Sequence, residues 1–225
     1  MILPASENGI YDLFQIQSDG TTLKEFGGTP NTGLTLDSSG EDCSTGIAIS
    51  VGEFSNSVYL ADLTQAVFTP GSPAGTYTAP HSTTTLATSF GFSAGLSGVS
   101  VAVGTSHLAV GTGEFGGNTF AVLQLPSTGG SGTPAILDYA VAAIPSSTTC
   151  GTFSAGNDPH TITAYTSPND GKAYALFANA APPSCLARID LAAVLAAPRG
   201  GSGLGAHDVS AANFPAGAAT FFSTH

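Results

Sequence analysis

Tryptophan is absent from this chain, methionine occurs once, and Lys and Arg together number four against fifteen Asp and Glu. The net charge of −11 argues against nucleic acid as a partner. Phosphate neutralisation needs a stripe of cations, and Lys24, Lys172, Arg188 and Arg199 are scattered through an acidic field that repels a polyanion. The same repulsion disfavours adhesion to anionic lipid. No apolar run approaches the roughly 18 residues of a spanning helix, so membrane insertion is not expected. Also missing are the H-x-H, H-E-x-x-H and C-x-x-C spacings of common metal sites and the Walker loop of nucleotide-binding proteins. Neither a metal nor another cofactor is predicted.

Only 8% of the residues are charged while hydrophobics reach 42%, a balance that folds rather than staying disordered. Met1-Ile2-Leu3-Pro4 lacks the charged start and apolar stretch of a signal peptide. Yet scarce Lys and Arg with long Ser/Thr/Gly loops resemble the composition of exported bacterial proteins. An extracellular, periplasmic or cell-surface location is expected, with a leader already removed or the chain a fragment. Of three cysteines, Cys150 and Cys185 flank two strands of one repeat, and a disulfide between them is predicted. The alternative is a pair of reduced, buried thiols, because spacing alone does not fix pairing. Cys43 is left without a partner.

What the chain has in place of motifs is repetition. Val51-Gly52-Glu53-Phe54 returns 61 positions later as Thr112-Gly113-Glu114-Phe115, each time between two runs that read as strands. Gly46-Ile47-Ala48-Ile49-Ser50 precedes the first copy and Ser57-Val58-Tyr59-Leu60-Ala61-Asp62-Leu63 follows it. The second lies between His107-Leu108-Ala109-Val110-Gly111 and Thr119-Phe120-Ala121-Val122-Leu123-Gln124-Leu125. A third copy, with its turn rewritten, runs through Lys172-Ala173-Tyr174-Ala175-Leu176-Phe177-Ala178 and Cys185-Leu186-Ala187-Arg188-Ile189-Asp190-Leu191. Steps of 61 and 65 from residue 46 to 107 to 172 suit a four-stranded propeller blade with generous loops.

The predicted fold is therefore all-β, a propeller-like repeat of four-stranded antiparallel blades. Either about four blades are closed by the termini, or the chain is an arc of a larger propeller. One domain spans 1–225, with blades near 31–80, 96–145 and 158–212 and partial blades at 10–30 and 213–225. Ile10 to Gln17 and Thr21 to Phe26 read as a hairpin, the outer pair of a blade whose inner pair is not upstream. Residues 75–78 are expected to form the outer edge of the next blade. Closure requires the last strand, residues 219–223, to pair with that first hairpin. Asp62 and Asp190 each precede a short helix-compatible run and are read as caps.

At Asp158-Pro159-His160-Thr161-Ile162-Thr163-Ala164-Tyr165, Pro168-Asn169-Asp170-Gly171-Lys172-Ala173-Tyr174 and Ala187-Arg188-Ile189-Asp190-Leu191 the chain resembles a blade of the YVTN/NHL-like bacterial propellers. The Tyr-Val-Thr-Asn signature itself is replaced by Ala175-Leu176-Phe177-Ala178-Asn179. The resemblance implies a ring of blades, seven in many members, and functions from surface layers to lactone hydrolysis. It speaks to fold far more than to activity.

Candidate chemistry is sparse. Asp158 and His160 open an inner strand, and their side chains are expected at the central channel as a ligand-binding pair, or else as satisfied polar groups at a strand end. Gly91-Phe92-Ser93-Ala94-Gly95 matches a nucleophile elbow, but the Gly-broken, β-like stretch after it is not the helix that motif needs, so Ser93 reads as loop. Glu53 and Glu114 recur at one turn position and read as structural. Gly201 to Gly205 lacks the βαβ context of a dinucleotide site. No catalytic residues are assigned. The expected function is an exported binding or scaffolding module for a protein or glycan. The alternatives are a lactonase-like hydrolase with polar groups converging on the channel, and a purely structural segment of a larger surface protein.

Overall fold

The computed structural model describes residues 2–7, 10–16, 23–26, 35–53, 55–70, 76–92, 95–102, 104, 106–113, 118–127, 132–148, 150–151, 159–179 and 185–223. Nearly all of its regular structure is β. The first sheet is β1 (Ile2–Glu7), β2 (Ile10–Ile16) and β3 (Leu23–Phe26), antiparallel in that order. The hairpin expected at 10–26 is present, but it is not an outer pair without a partner, because β1 precedes it and pairs with β2. Pro4 disguises β1 in the sequence, and a sheet edge is where proline is tolerated in a strand.

The second sheet contains β4 (Thr35–Asp42), β5 (Ile47–Glu53) and β6 (Ser57–Asp62). A 3-10 turn at Leu63–Gln65 leads into a separate ribbon of β7 (Val67–Thr69) and β8 (Thr76–Thr78). The outer strand is β9 (His81–Thr85), not residues 75–78 as expected. Its Ser/Thr-rich face meets solvent and carries no apolar alternation. The third sheet is β10 (Leu96–Val101), β11 (Leu108–Gly113), β12 (Thr119–Gln124) and β13 (Asp138–Ala143). The fourth opens with β14 (Pro159–Thr166), β15 (Ala173–Asn179) and β16 (Cys185–Asp190), followed by the short helix α1 (Leu191–Leu195). Then β17 (Asp208–Val209) returns to the third sheet, parallel to β13, and β18 (Ala219–Ser223) pairs with β16 as the outermost strand of the fourth.

The innermost strands β1, β4, β10 and β14 lie side by side in succession, so the sheets fan out in a propeller-like arc. Among the described residues, 213–223 do not form a further partial blade. Instead β18 completes the fourth sheet, and no pairing of β18 with the first hairpin is present among the described residues. Serines link the inner strands. Ser38 Oγ accepts from Val99 N (3.2 Å), and Ser100 Oγ accepts from Ala164 N (2.8 Å). Gly40 permits the close approach of β4 to β10, since a Cβ there would lie 2.9 Å from a Val101 methyl.

Period-two alternation divides the third sheet between two cores. Val110, Phe120, Val122, Ala140 and Ala142 face the fourth sheet, with Phe177, Ala187 and Ile189 opposite. Ala109, Ala121, Leu123 and Val141 face the second, against Ile49, Val51 and Leu60. The Phe120 and Phe177 rings meet across the first of these seams with centroids 5.1 Å apart. Each such side chain contributes about 1.5–3 kcal/mol by leaving water. The disulfide Cys150–Cys185 is present in the same core, its Cα atoms 5.7 Å apart, and Cys43 is an exposed free thiol.

Both predicted caps form. The Asp62 carboxylate accepts from Thr64 N (3.0 Å) and Gln65 Nε2 (2.6 Å), and Asp190 accepts from Ala193 N (3.0 Å). Asp62→Ala is expected to lower stability by about 1–2 kcal/mol in urea titrations. A loss under a few tenths of a kcal/mol would mean that the 3-10 turn needs no cap.

Candidate functional site

Because strands alternate in direction, one rim of the arc collects the β4–β5, β10–β11, β12–β13 and β14–β15 turns together with the caps at Asp62 and Asp190. The C-terminal ends of β5 and β11 and the disulfide belong to the opposite rim. The turn at the fourth sheet is the Ser-Pro-Asn-Asp-Gly stretch read from sequence, with Gly171 at φ +71°. Lys172 Nζ there reaches Asp190 Oδ2 at 2.7 Å, and Tyr174 donates its hydroxyl to Asp170 Oδ2 at 2.7 Å.

Between the second and third sheets, Asp42 is 1% exposed. Its Oδ1 accepts from Ser44 N (3.0 Å) and Ser44 Oγ (2.6 Å), and its Oδ2 accepts from His107 Nδ1 (2.7 Å). Burial pushes the carboxyl pKa up, but the bonds from Ser44 and His107 together outweigh it and hold the group below its ordinary value. The order is Ser, Asp, His with the carboxylate in the middle. Ser44 therefore gives its proton to Asp42 rather than to the imidazole, which is not the arrangement of a serine nucleophile. His107 has φ +50°, a left-handed backbone that a bulky residue adopts at a cost of about 1–3 kcal/mol.

Beside this turn lies an open cleft of about 430 Å³. Leu108, Ala192, Leu195 and Ala196 form its aliphatic wall, and Ser106, Gln124, Asp138 and Arg199 supply its polar groups. Arg199 grips Asp138 with two parallel bonds, Nη1 to Oδ1 at 2.6 Å and Nη2 to Oδ2 at 2.8 Å, and Nη1 also donates to Tyr139 O at 2.7 Å. The Arg199 bond depresses the Asp138 pKa, and the Asp138 bond raises that of Arg199. Behind the pair, His207 stacks on Tyr139 at 3.8 Å between centroids. Gln124 Nε2 ties down the turn, donating to Ser106 O and His107 O, both at 3.2 Å. Ser106 Oγ is buried with no hydrogen-bond partner among the described residues.

The sequence-predicted pair is Asp158 and His160. Asp158 lies outside the described residues, and His160 is placed only as backbone in β14, at the opposite rim, with its side chain outside them. Ser93, Glu114 and the Glu53 side chain are likewise outside. Among the described residues no three His, Cys, Asp or Glu side chains gather as metal ligands, and no described helix is long and apolar enough to cross a membrane. Sequence reasoning missed Asp42, His107, Asp138 and Arg199 as partners, since they meet across 65 and 61 residues. One signal was available: Arg199 is one of only four cations, so a fixed role for it was a reasonable guess.

Comparison with protein-family models, with curated proteins and with solved structures finds no match to this chain.

Proposed function

We propose that this chain is a propeller-type binding module, its fourth sheet a blade of YVTN/NHL-like kind, which works outside the cytoplasm and holds a protein or glycan at the rim that carries the cleft. The observation that carries this reading is the state of the rim's carboxylates. Asp42, Asp62, Asp138 and Asp190 are each engaged by structural partners, so the rim offers fixed polar positions rather than a free acid or base. Rigid sheets presenting short turns are how binding surfaces are commonly built. A disulfide in the core favours an oxidising compartment.

The test is a glycan array probed with labelled, folded protein, run beside a lactone-hydrolysis panel with and without calcium. Binding that disappears on thermal unfolding, with no lactone turnover, is the expected result. Turnover that tracks the folded protein would replace this reading with the hydrolase.

A further inference from the structure

We infer that the cleft between the third sheet and α1 is a subsite for a neutral, hydroxyl-rich ring, a single sugar unit. This rests on the binding-module reading above and names its ligand class.

The argument starts from charge. Arg199 and Asp138 cancel one another through a bidentate pair, so the cleft presents neither a free cation nor a free anion. The chain's net charge of −11 opposes an anionic ligand. A cationic ligand would have to compete with Arg199 for its carboxylate, against charge-assisted bonds that are the strong ones.

The remaining hydrogen-bonding capacity is mixed in sign. Ser106 Oγ is buried and has no partner among the described residues, leaving a hydroxyl hydrogen without an acceptor there. Arg199 has five N–H donors, of which the Asp138 and Tyr139 bonds use three. On the accepting side, Asp138 Oδ2 takes one bond, from Arg199, and its side chain is 39% exposed. The amide nitrogen of Gln124 is spent on backbone carbonyls, which turns its oxygen into the group left to offer. A ligand that answers two kinds of donor and two kinds of acceptor must itself both give and accept hydrogen bonds at neighbouring positions. Vicinal hydroxyls do this.

The opposite wall is aliphatic, so the ligand also needs a C–H face to lay against Leu108 and Leu195. A pyranose combines the two surfaces. At about 430 Å³ the cleft falls in the range of small-molecule sites, roughly 300–1,000 Å³. The unusual backbone of His107 and the Gln124 clamp fix the turn that bears Ser106, so the donor is held in place before any ligand arrives.

The experiment is an NMR titration of ¹⁵N-labelled protein with methyl pyranosides of glucose, galactose, mannose and N-acetylglucosamine, with glucuronate as the charged comparison. At least one neutral pyranoside should shift the Gln124 side-chain amide and the backbone amides of Ser106, Leu108 and Ala192. Ala192 and Ala196 are exposed and line the cleft, so Ala192→Phe or Ala196→Phe fills it without entering the core. Either variant, with native circular dichroism, should weaken binding at least about tenfold, and Ser106→Ala about fivefold. Absence of these shifts with every pyranoside, undiminished binding by both filled variants, or preference for glucuronate overturns the assignment. If the filled variants still bind the same glycans on the array, the cleft is wrong and the binding module stands; if nothing binds the array at all, the cleft assignment and the glycan-binding reading both fall.

Discussion

Replacing Cys150 and Cys185 together with alanine should lower the unfolding free energy by about 4 kcal/mol, and reducing the wild-type protein should reproduce that loss. The bridge closes a loop of 35 residues that contains β14, β15 and the turn between them. In the chain-entropy account, opening a loop of that length restores the corresponding freedom to the unfolded ensemble. Both sulfurs lie in the core between the third and fourth sheets, so the reduced form must also accommodate two buried thiols. The melting temperature should drop by roughly 8–16 °C. Thermal and urea melts with and without reductant measure this, with Cys43→Ser as the control because that thiol is exposed and outside the disulfide. Identical melts of reduced and oxidised protein would show that sheet packing alone holds β14 and β15 in place.

Asp208→Ala is expected to cost about 3–5 kcal/mol, because it orphans donors that burial cuts off from water. The Asp208 side chain is inaccessible, and it gathers bonds from two loops. Its Oδ2 accepts from Ser89 N (2.8 Å), Ser89 Oγ (2.5 Å) and Gly205 N (2.8 Å), and Oδ1 accepts from Thr88 Oγ1 (2.6 Å). Burial pushes this carboxyl up, yet the hydroxyls of Ser89 and Thr88 and the two backbone amides outweigh it, so its pKa is lowered in the folded protein. A depressed folded value makes the contribution fully present above the unfolded pKa near 3.9 and lost as pH falls through the folded value. Asp42 and Asp138 are shifted the same way, so the three reinforce one another on the acid side. Asp208→Asn should recover most of the stability at pH 7, since one amide oxygen can replace Oδ2 while the Thr88 hydroxyl turns to accept. It should also flatten the acid limb. Urea midpoints between about pH 7 and 3 test both statements. An alanine variant as stable as wild type would mean that the two loops are held by packing alone.

The repeating strand pairs were enough to find β5, β6, β11, β12, β15 and β16, because those strands carry apolar residues on both faces. The Asp62 and Asp190 caps were legible for a similar reason: the signal is local, an acid directly before a short helical run. The innermost and outermost strands were harder to read. β4 ends in Ser-Ser-Gly-Glu-Asp, which reads as loop until Ser38 is seen bridging to β10 and Gly40 fitting under Val101. β9 is His-Ser-Thr-Thr-Thr and faces water. The two residues of β17 are too few to leave any periodicity. Nor does a pattern foretell the cleft, whose polar groups come from four separate stretches of chain. Ion pairs such as Arg199 with Asp138 depend on the stacking of neighbouring sheets, which no local rule encodes.

The path of the chain after α1 has a mechanical consequence. It first pairs with β13 at Asp208–Val209 and then crosses to β16 at Ala219–Ser223, lacing one sheet to the next like a stitch through two layers of cloth. Tension entering beyond Ser223 would unzip β18 from its neighbour a bond at a time, a soft failure. The strain would then reach Asp208, where four bonds share the load at once, so the stitch should hold hardest at its anchor rather than along its thread.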